Sequence, residues 1–227
     1  MLHIITDKTG FPVVNVAQLG IQVSWLPFTK IQLEHFIADT NSTEFDRDGY
    51  ERVTSFNPRI SPAEMDMGRY EGIFLTGILP AEARRIAQWM GNGYDLPTAS
   101  EWKKLFNFFY SQQATEDVID QIAELDGVSQ RARAVTSRLD AITTQEIDQL
   151  LGDSRRVCDQ MLMRLGVMEY IYENNYRSSY AGQGMPNRAF HPHTRMLPRD
   201  GRETLRDGLR AKGGRIKQYG FRLIRRK

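Results

Sequence analysis

Few residues of this chain combine the types and the spacing that chemistry requires. His191 and His193 flank one proline, and an extended segment would place both imidazoles on the same side, as a metal site needs. The alternative interpretation of this pair is a loop with two exposed histidines. The one cysteine, Cys158, lies beside Val157 and close to Met161, which is the setting of a small apolar core residue.

The sequence contains none of the common motifs of the large enzyme classes. We find no phosphate-binding Gly-x-x-x-x-Gly-Lys-Ser/Thr, no Gly-x-Gly-x-x-Gly after a strand, no His-Glu-x-x-His and no Gly-x-Ser-x-Gly. Glu101 and Glu169 could be paired for acid–base chemistry. Helix capping explains the first of them, however, and hydrogen bonding within a sheet explains the second. The sequence therefore assigns no catalytic residue.

Composition is that of an ordinary soluble globular protein. With 41% hydrophobic and 26% charged residues, 227 residues are enough for one large domain with a core. No apolar run approaches the roughly 20 residues that cross a bilayer, and the N-terminal residues lack a signal-peptide pattern. One cysteine excludes an internal disulfide framework and fits a reducing compartment, so we expect a cytoplasmic protein without membrane contact.

Charge is distributed unevenly along the chain. The net charge is +2, but residues 195–227 carry twelve lysines and arginines against three acidic residues. Such a field can attract polyanions, which keeps nucleic-acid binding through the basic C-terminal third as one hypothesis. The alternative is that this basic part pairs with the more acidic remainder of the same molecule.

The clearest local pattern lies between residues 91 and 102. Pro97 forbids continuation of a helix and favours an extended Leu96. Thr98 is a natural N-cap, and Glu101 follows three residues later, which is the pattern of a capping box. Trp102 then begins an apolar stripe at helical spacing. We predict a helix that begins just after Thr98.

Apolar periodicity predicts the remaining elements. Further helices are predicted over residues 27–39 and 81–90, with helical patterns over 114–125, 129–142 and 143–165. Predicted strands cover residues 2–6, 12–16, 20–25, 72–77, 167–170 and 219–223. Residues 41–67 and 177–193 are predicted to be long ordered or irregular loops, in which binding residues are common.

Several of these segments resemble one known family. Tyr94–Trp102 is similar to the "(Y)RLPTEAEWE" signature of the formylglycine-generating-enzyme (sulfatase-modifying factor) domain family, and Val167–Tyr170 is similar to its "VWEW" strand. Tyr219–Leu223 is similar to its closing "(I)GFRLV" strand, which in the family lies beside the N-terminal strands. The resemblance also covers residues 28–33 and 76–106.

This resemblance implies an α+β, C-type-lectin-like fold. The fold consists of a twisted antiparallel sheet with flanking helices and long loops, here formed by one domain over residues 1–227. Residues 112–164 depart from the family and are expected to be a helical insertion, either a partner or oligomer surface or added cover for the core. We expect structural roles for the motif residues Leu96, Pro97, Thr98, Glu101, Trp102, Glu169, Gly220, Phe221 and Arg222.

The family's oxidase chemistry requires residues that this chain lacks. That chemistry uses two cysteines near a C-terminal "RGGSW" motif to bind copper and engage a substrate thiol, and residues 195–227 contain neither the cysteines nor the motif. Another branch binds iron through three histidines. The four histidines here, and the pair His191 and His193 in particular, keep a metal-dependent oxidative enzyme with a non-cysteine site as an alternative.

The family also often holds calcium near its "VWEW" strand. Oxygen ligands there could come from Glu173, Asn174 and Asn175. No other cofactor is expected.

The resulting functional hypothesis is a catalytically silent domain that binds another protein or serves in assembly, since fold does not dictate activity. The contacts are expected from loops 41–67 and 174–200 or from the 112–164 segment. Aromatic and arginine residues dominate protein interfaces. The candidate partner-binding residues are Tyr176, Arg177, Tyr180, Asn187, Arg188, Phe190 and His193. The alternative role of each is to anchor its loop.

Overall fold

A computed structural model describes residues 2–40, 51, 53, 73–111, 118–136, 168–171, 188–190, 210–211, 215–216 and 219–227. The fold is mixed α and β. Its strands are β1 His3–Thr6, β2 Pro12–Val16, β3 Ile21–Ser24, β4 Tyr94–Asp95, β5 Met168–Ile171, β6 Arg188–Phe190, β7 Arg210–Ala211, β8 Arg215–Ile216, β9 Tyr219–Phe221 and β10 Ile224–Arg226. Its helices are α1 Lys30–Thr40, α2 Pro80–Met90, α3 Ala99–Ser111 and α4 Val118–Glu124, with a 3₁₀ turn at Ala17–Leu19.

The strands form three sheets. The largest has five antiparallel strands in the order β1-β2-β3-β10-β4. A second sheet has the order β6-β5-β9, in which β5 and β6 are antiparallel and β5 and β9 are parallel. The short strands β7 and β8 form an antiparallel pair. The last strand, β10, lies between β3 and β4, so the chain closes the main sheet beside its N-terminal strands.

One face of the five-stranded sheet supplies the larger apolar core. This face packs against α3 and against residues 122–135. The sheet residues of this core are Ile4, Val14, Val16, Ile21, Val23 and Ile224, and α3 adds Trp102, Leu105 and Phe109. A second core joins α1, α2 and residues 75–78 with Phe221 and Leu223. Within the described ranges, no helix is long and apolar enough to cross a membrane.

Helix starts follow their capping residues. The amide of Thr98 donates to Glu101 Oε2 at 2.8 Å and the amide of Glu101 donates to Thr98 Oγ1 at 3.2 Å, so the predicted capping box is present. Thr29 and Gln32 form the same reciprocal pair at the start of α1. The predicted inner residues of α2, Ala83, Ile86, Ala87 and Met90, are all buried.

Three predictions about strands were wrong. Residues 73–77 contain only an isolated bridge between Phe74 and Thr29, although Phe74 and Leu75 are buried, because a short apolar run does not distinguish a strand from other buried backbone. The strand beside β3 is Ile224–Arg226 rather than 219–223, since Tyr219–Phe221 pairs with β5 instead. Arg188–Phe190, expected to be irregular, is a strand paired with β5.

The described part of the predicted insertion belongs to the core. Its buried residues are Ile122, Val128, Ala132 and Val135. The amide of Ser129 also donates to the carbonyl of Gly10 at 3.1 Å. Residues 118–136 therefore cover the core. This agrees with the second of the two sequence interpretations, added cover for the core, for the described part of the segment. The third helical pattern, over residues 143–165, lies outside the described residues.

Candidate functional site

A buried ion pair lies where the two larger sheets meet. The Nη2 atom of Arg222 donates to Glu169 Oε1 at 2.9 Å, and its Nε atom lies 3.1 Å from both carboxylate oxygens. Both side chains are only 1% exposed. A buried pair of charges is tolerated only when further hydrogen bonds satisfy it.

Three residues from two other elements complete this pair. The Nη1 atom of Arg222 donates to the carbonyl oxygens of Ser24 at 2.9 Å and Trp25 at 2.5 Å, at the end of β3. The indole Nε1 of Trp102, on α3, donates to Glu169 Oε2 at 2.9 Å. We call Trp102, Glu169 and Arg222 the buried triad. It joins α3, β5, the end of β3 and the segment between β9 and β10, and its polar groups bond to one another and to the backbone.

A second, more exposed cluster attaches β10 to the start of α3. Arg226 donates to Glu101 Oε1 at 2.7 Å and Oε2 at 2.8 Å, and lies 3.5 Å from Asp95 Oδ2. Burial acts to raise the pKa of Glu101, but the hydrogen bonds from Arg226 and Thr98 outweigh it and lower the pKa. Glu101 thus caps the helix and holds the last strand, so the sequence interpretation found one of its two roles.

Sequence reasoning missed a third polar cluster, around Asp7. Its Oδ1 accepts hydrogen bonds from the amides of Thr9 and Phe11 and from the Thr9 hydroxyl, and its Oδ2 accepts from Gln32 Nε2. Desolvation raises the pKa of Asp7 in spite of these bonds. The Asp-Lys-Thr-Gly pattern of residues 7–10 is typical of an Asx turn and could have indicated this cluster. The cluster fixes the β1–β2 turn to α1.

Trp89 lies between α1 and the β1–β2 turn. The Nζ atom of Lys8 is 3.5 Å from the centre of the Trp89 ring and donates to the Trp89 carbonyl at 2.6 Å. The indole Nε1 donates to Asp39 Oδ2 at 3.2 Å, and the ring meets Phe36 edge-on. Desolvation lowers the pKa of Lys8. These contacts give Trp89 a packing role.

The predicted partner-binding residues are described only in part. Phe190 is the register partner of Glu169, and Arg188 is the register partner of Ile171, so the backbone of β6 extends the sheet that carries the buried triad. The other candidates lie outside the described residues; they are Tyr176, Arg177, Tyr180, Asn187 and His193 for partner binding, His191 and His193 for metal, and Glu173, Asn174 and Asn175 for calcium.

The described ranges contain no group of three or more histidine, cysteine, aspartate or glutamate side chains that could hold a metal ion. The expected metal and calcium sites remain predictions. Comparison with protein-family models, curated proteins and solved structures finds no match. The fold and the site define a mixed α and β protein with a five-stranded antiparallel sheet, several helices and a buried polar junction.

Proposed function

We propose that this chain is a catalytically silent, lectin-type scaffold, similar to the formylglycine-generating-enzyme domains, that binds another protein or serves in assembly. The observation that carries the proposal is the buried triad. Trp102, Glu169 and Arg222 come from the three segments that resemble the family, and they are 67 and 53 residues apart along the chain. A scaffold similar to that of the family would require these three motif residues to contact one another, which supports the proposal.

The composition of the chain supports the absence of thiol oxidation. A two-thiolate copper site needs two cysteines, and this sequence has one, Cys158. The residues present therefore do not fit the family's copper site, and we derive no reaction step through it. The described polar residues of the motifs instead bond to each other, which favours a structural role for them.

Partner binding would then depend on the loops outside the two cores. Loop 174–200 contains two tyrosines, a phenylalanine and several arginines, which are the residue types enriched at interface hot spots. The strand β6, which belongs to this segment, pairs with β5. It therefore belongs to the sheet that carries Glu169 of the buried triad. Binding residues are common on loops that a scaffold of helices and strands holds in place, and we place this segment in that class.

Affinity capture followed by calorimetry tests this proposal. The full chain and a triple variant, Tyr176→Ala with Arg177→Ala and Tyr180→Ala, would be compared for capture of a partner that is then purified. We expect the triple variant to bind the partner at least tenfold more weakly, because truncated hot-spot residues each cost about 2 kcal/mol. Deletion of residues 112–164 is unsuitable, since it removes buried core residues.

Lys104→Gln is the matched control, because Lys104 is exposed on α3. It should bind the purified partner as the wild type does. Equal affinity of the triple variant and the wild type would reject the loop as the binding surface. One equivalent of iron or copper in the purified chain, lost in His191→Ala, would favour the metal-dependent enzyme and contradict a silent module.

A further inference from the structure

The strand β1 forms one edge of the five-stranded sheet, and this edge lacks the usual protection. Edge strands are commonly kept from pairing with other chains by charged side chains, proline, bulges or a covering segment. The residues of β1, His3–Thr6, include no lysine, no acidic residue and no proline. They pair with β2 residue by residue, without a bulge. A strand of this kind offers its outer backbone groups to a further strand.

The hydrogen bonds between β1 and β2 show which backbone groups point outward. The N–H of Asp7 donates to the carbonyl of Phe11 at 2.9 Å, so these two residues form a hydrogen-bonded pair. Hydrogen-bonded and non-hydrogen-bonded pairs alternate along an antiparallel ladder, so Thr6 and Ile4 form pairs of the second kind with β2. Pro12, opposite Thr6, indeed has no N–H to donate. The N–H and C=O groups of Ile4 and Thr6 therefore point away from β2, and no described residue beyond the ladder bonds to them.

The opposite edge of the same sheet, β4, is closed by its own chain. The N–H of Tyr94 donates to the carbonyl of Gly91 at 3.0 Å, and the N–H of Leu96 donates to Asp95 Oδ1 at 2.8 Å. The carbonyl of Leu96 accepts from Arg226 Nη2 at 3.3 Å. The two edges are thus unlike, because β1 has no such bonds on its outer side within the described ranges.

The side chains of β1 leave this outer backbone open. Ile4 points into the larger core, and Thr6, on the same face, lies near Gly127, where an added Cβ would be 3.3 Å from Thr6 Oγ1. On the other face, His3 is exposed and Ile5 is half-buried. The described contacts of β1 with its own chain therefore run through β2 and the core face, and not through the outer edge.

We propose that β1 is a dimer interface, to which a second copy of this chain adds its own β1 in antiparallel orientation, with Ile4 opposite Ile4. This register places Thr6 of each copy opposite Leu2 of the other. Each of these pairs exchanges two backbone hydrogen bonds, because the outward groups of residues 2, 4 and 6 then face one another. The two five-stranded sheets become one continuous sheet. Since β1 and β6 belong to different sheets, this interface does not depend on the partner binding proposed for loop 174–200.

The pairing of two β1 strands is self-complementary. His3 of one copy lies opposite Ile5 of the other, with Cα atoms about 4.5 Å apart, and covers the exposed part of that isoleucine. The exposed Lys8 residues of the two copies lie about 27 Å apart along the paired strands, so like charges do not meet. An uncharged strand offers nothing that selects an acidic or a basic peptide, whereas a second copy supplies an uncharged match along the whole strand.

Sedimentation velocity of the full chain, from micromolar to millimolar concentration, tests this interface. One short strand pair buries less than the roughly 1,200 Å² of a standard interface, so we expect a weak, reversible dimer that forms towards the upper end of this range. Thr6→Pro removes an outward N–H but no hydrogen bond to β2. This variant should dimerise at least about tenfold more weakly than the wild type.

A charge variant and its matched control complete this comparison. Ile5→Lys places a charge at the edge and should weaken dimerisation by a similar factor, which keeps the test open if Thr6→Pro does not fold. Asn107→Lys adds the same charge at an exposed position of α3 and should dimerise as the wild type does. Circular dichroism checks that each variant is folded. A dimer that neither β1 variant weakens would overturn the proposal.

Disulfide trapping tests the register. Cys158→Ala first removes the one cysteine of the sequence from every chain used. A His3→Cys chain mixed with an Ile5→Cys chain should then form a linked dimer on mild oxidation, because these positions lie opposite each other. A His3→Cys chain mixed with a Lys8→Cys chain should not, since position 8 lies about 10 Å further along the strand, beyond the reach of a disulfide.

The outcomes separate this interface from the loop proposal. A chain that stays monomeric at millimolar concentration would overturn the dimer, as would equal trapping at positions 5 and 8. Pairing of β1 with a different captured protein, while the chain alone stays monomeric, would also contradict a second copy as the occupant. Each of these results leaves partner capture by loop 174–200 untouched, so the two proposals fail separately.

Discussion

At the scale of single residues, Trp102 shows how one N–H supports a buried charge. Its indole donates to Glu169 Oε2 at 2.9 Å, and its ring, 1% exposed, stacks on Phe106. Burying a carboxylate is costly unless hydrogen-bond donors surround it. Trp89 also donates its indole N–H to a carboxylate, that of Asp39, but this bond is exposed. The two tryptophans therefore form a matched pair.

Trp102→Phe should lower the free energy of unfolding by about 2–4 kcal/mol, because it removes a hydrogen bond to a buried charge and leaves a small cavity. Trp89→Phe should cost about 1 kcal/mol, because water can replace its exposed bond. Urea unfolding followed by circular dichroism measures both. A larger loss for Trp89→Phe would show that the buried triad contributes less than its geometry indicates.

Asp7 makes stability depend on pH. Because burial raises the pKa of Asp7 in the folded chain, the folded state holds a proton at pH values where the unfolded state, with a pKa of about 4, has released it. The contribution of Asp7 is thus fully present below about pH 4 and is lost as pH rises through the raised pKa.

Asp7→Asn removes this titration while keeping a side chain of the same shape. We expect the unfolding free energy of the wild type, minus that of Asp7→Asn, to fall as pH rises from about 4. Urea denaturation of both proteins across the acid range measures this difference. A difference that is constant or that increases with pH would contradict the assigned direction of the pKa shift.

At the scale of elements, Gly10 joins the β1–β2 turn to the segment before residues 130–136. Its φ is +77°, and an added Cβ would lie 2.8 Å from Ser129 Cβ and 2.9 Å from Ser129 N. Gly20 also has a positive φ, of +63°, but a Cβ there would meet nothing within 4 Å. Close approach, and not conformation alone, requires glycine at position 10.

Gly10→Ala should therefore cost about 2–5 kcal/mol, from left-handed strain and overpacking together, and Gly20→Ala about 1–2 kcal/mol from strain alone. Thermal and urea unfolding of the two variants compare these costs. Equal losses would show that Ser129 moves aside, and that residues 127–129 are held less firmly than their hydrogen bond to Gly10 indicates.

Local patterns predicted the helices better than the strand pairing. The Thr29–Gln32 and Thr98–Glu101 pairs mark where α1 and α3 begin, since capping depends on residues three apart. Strand pairing, in contrast, depends on residues far apart in the sequence. The strand β9, residues 219–221, pairs with β5 and not with the N-terminal strands. For the same reason the apolar run at 72–77 predicts a strand, although within residues 73–77 only Phe74 forms a bridge.

The candidate site was predictable only as separate residues. The sequence predicts structural roles for Glu169 and Arg222. It does not predict their contact with Trp102, because that contact depends on how α3, β5 and the C-terminal segment pack together. The local turn at Asp7 could have been predicted from residues 7–10, but its bond to Gln32 could not, because Gln32 is 25 residues away.

At the scale of the whole molecule, our proposal is that the polar motif residues stabilise a scaffold instead of performing a reaction. The buried triad joins the five-stranded sheet, through the carbonyls of Ser24 and Trp25, to the sheet of β5, β6 and β9. If this holds, Glu169 and Arg222 contribute to stability as one unit. Removing one of them leaves the other as a buried, unpaired charge.

A double-mutant cycle on unfolding free energy tests this claim most directly. Glu169→Leu and Arg222→Met should each cost about 3–5 kcal/mol, because each leaves one uncompensated charge. The double variant should lose at least about 2 kcal/mol less than the sum of the two single losses. Additive losses, with no coupling between the two positions, would contradict a buried pair and with it the account of these motif residues as the scaffold's central junction.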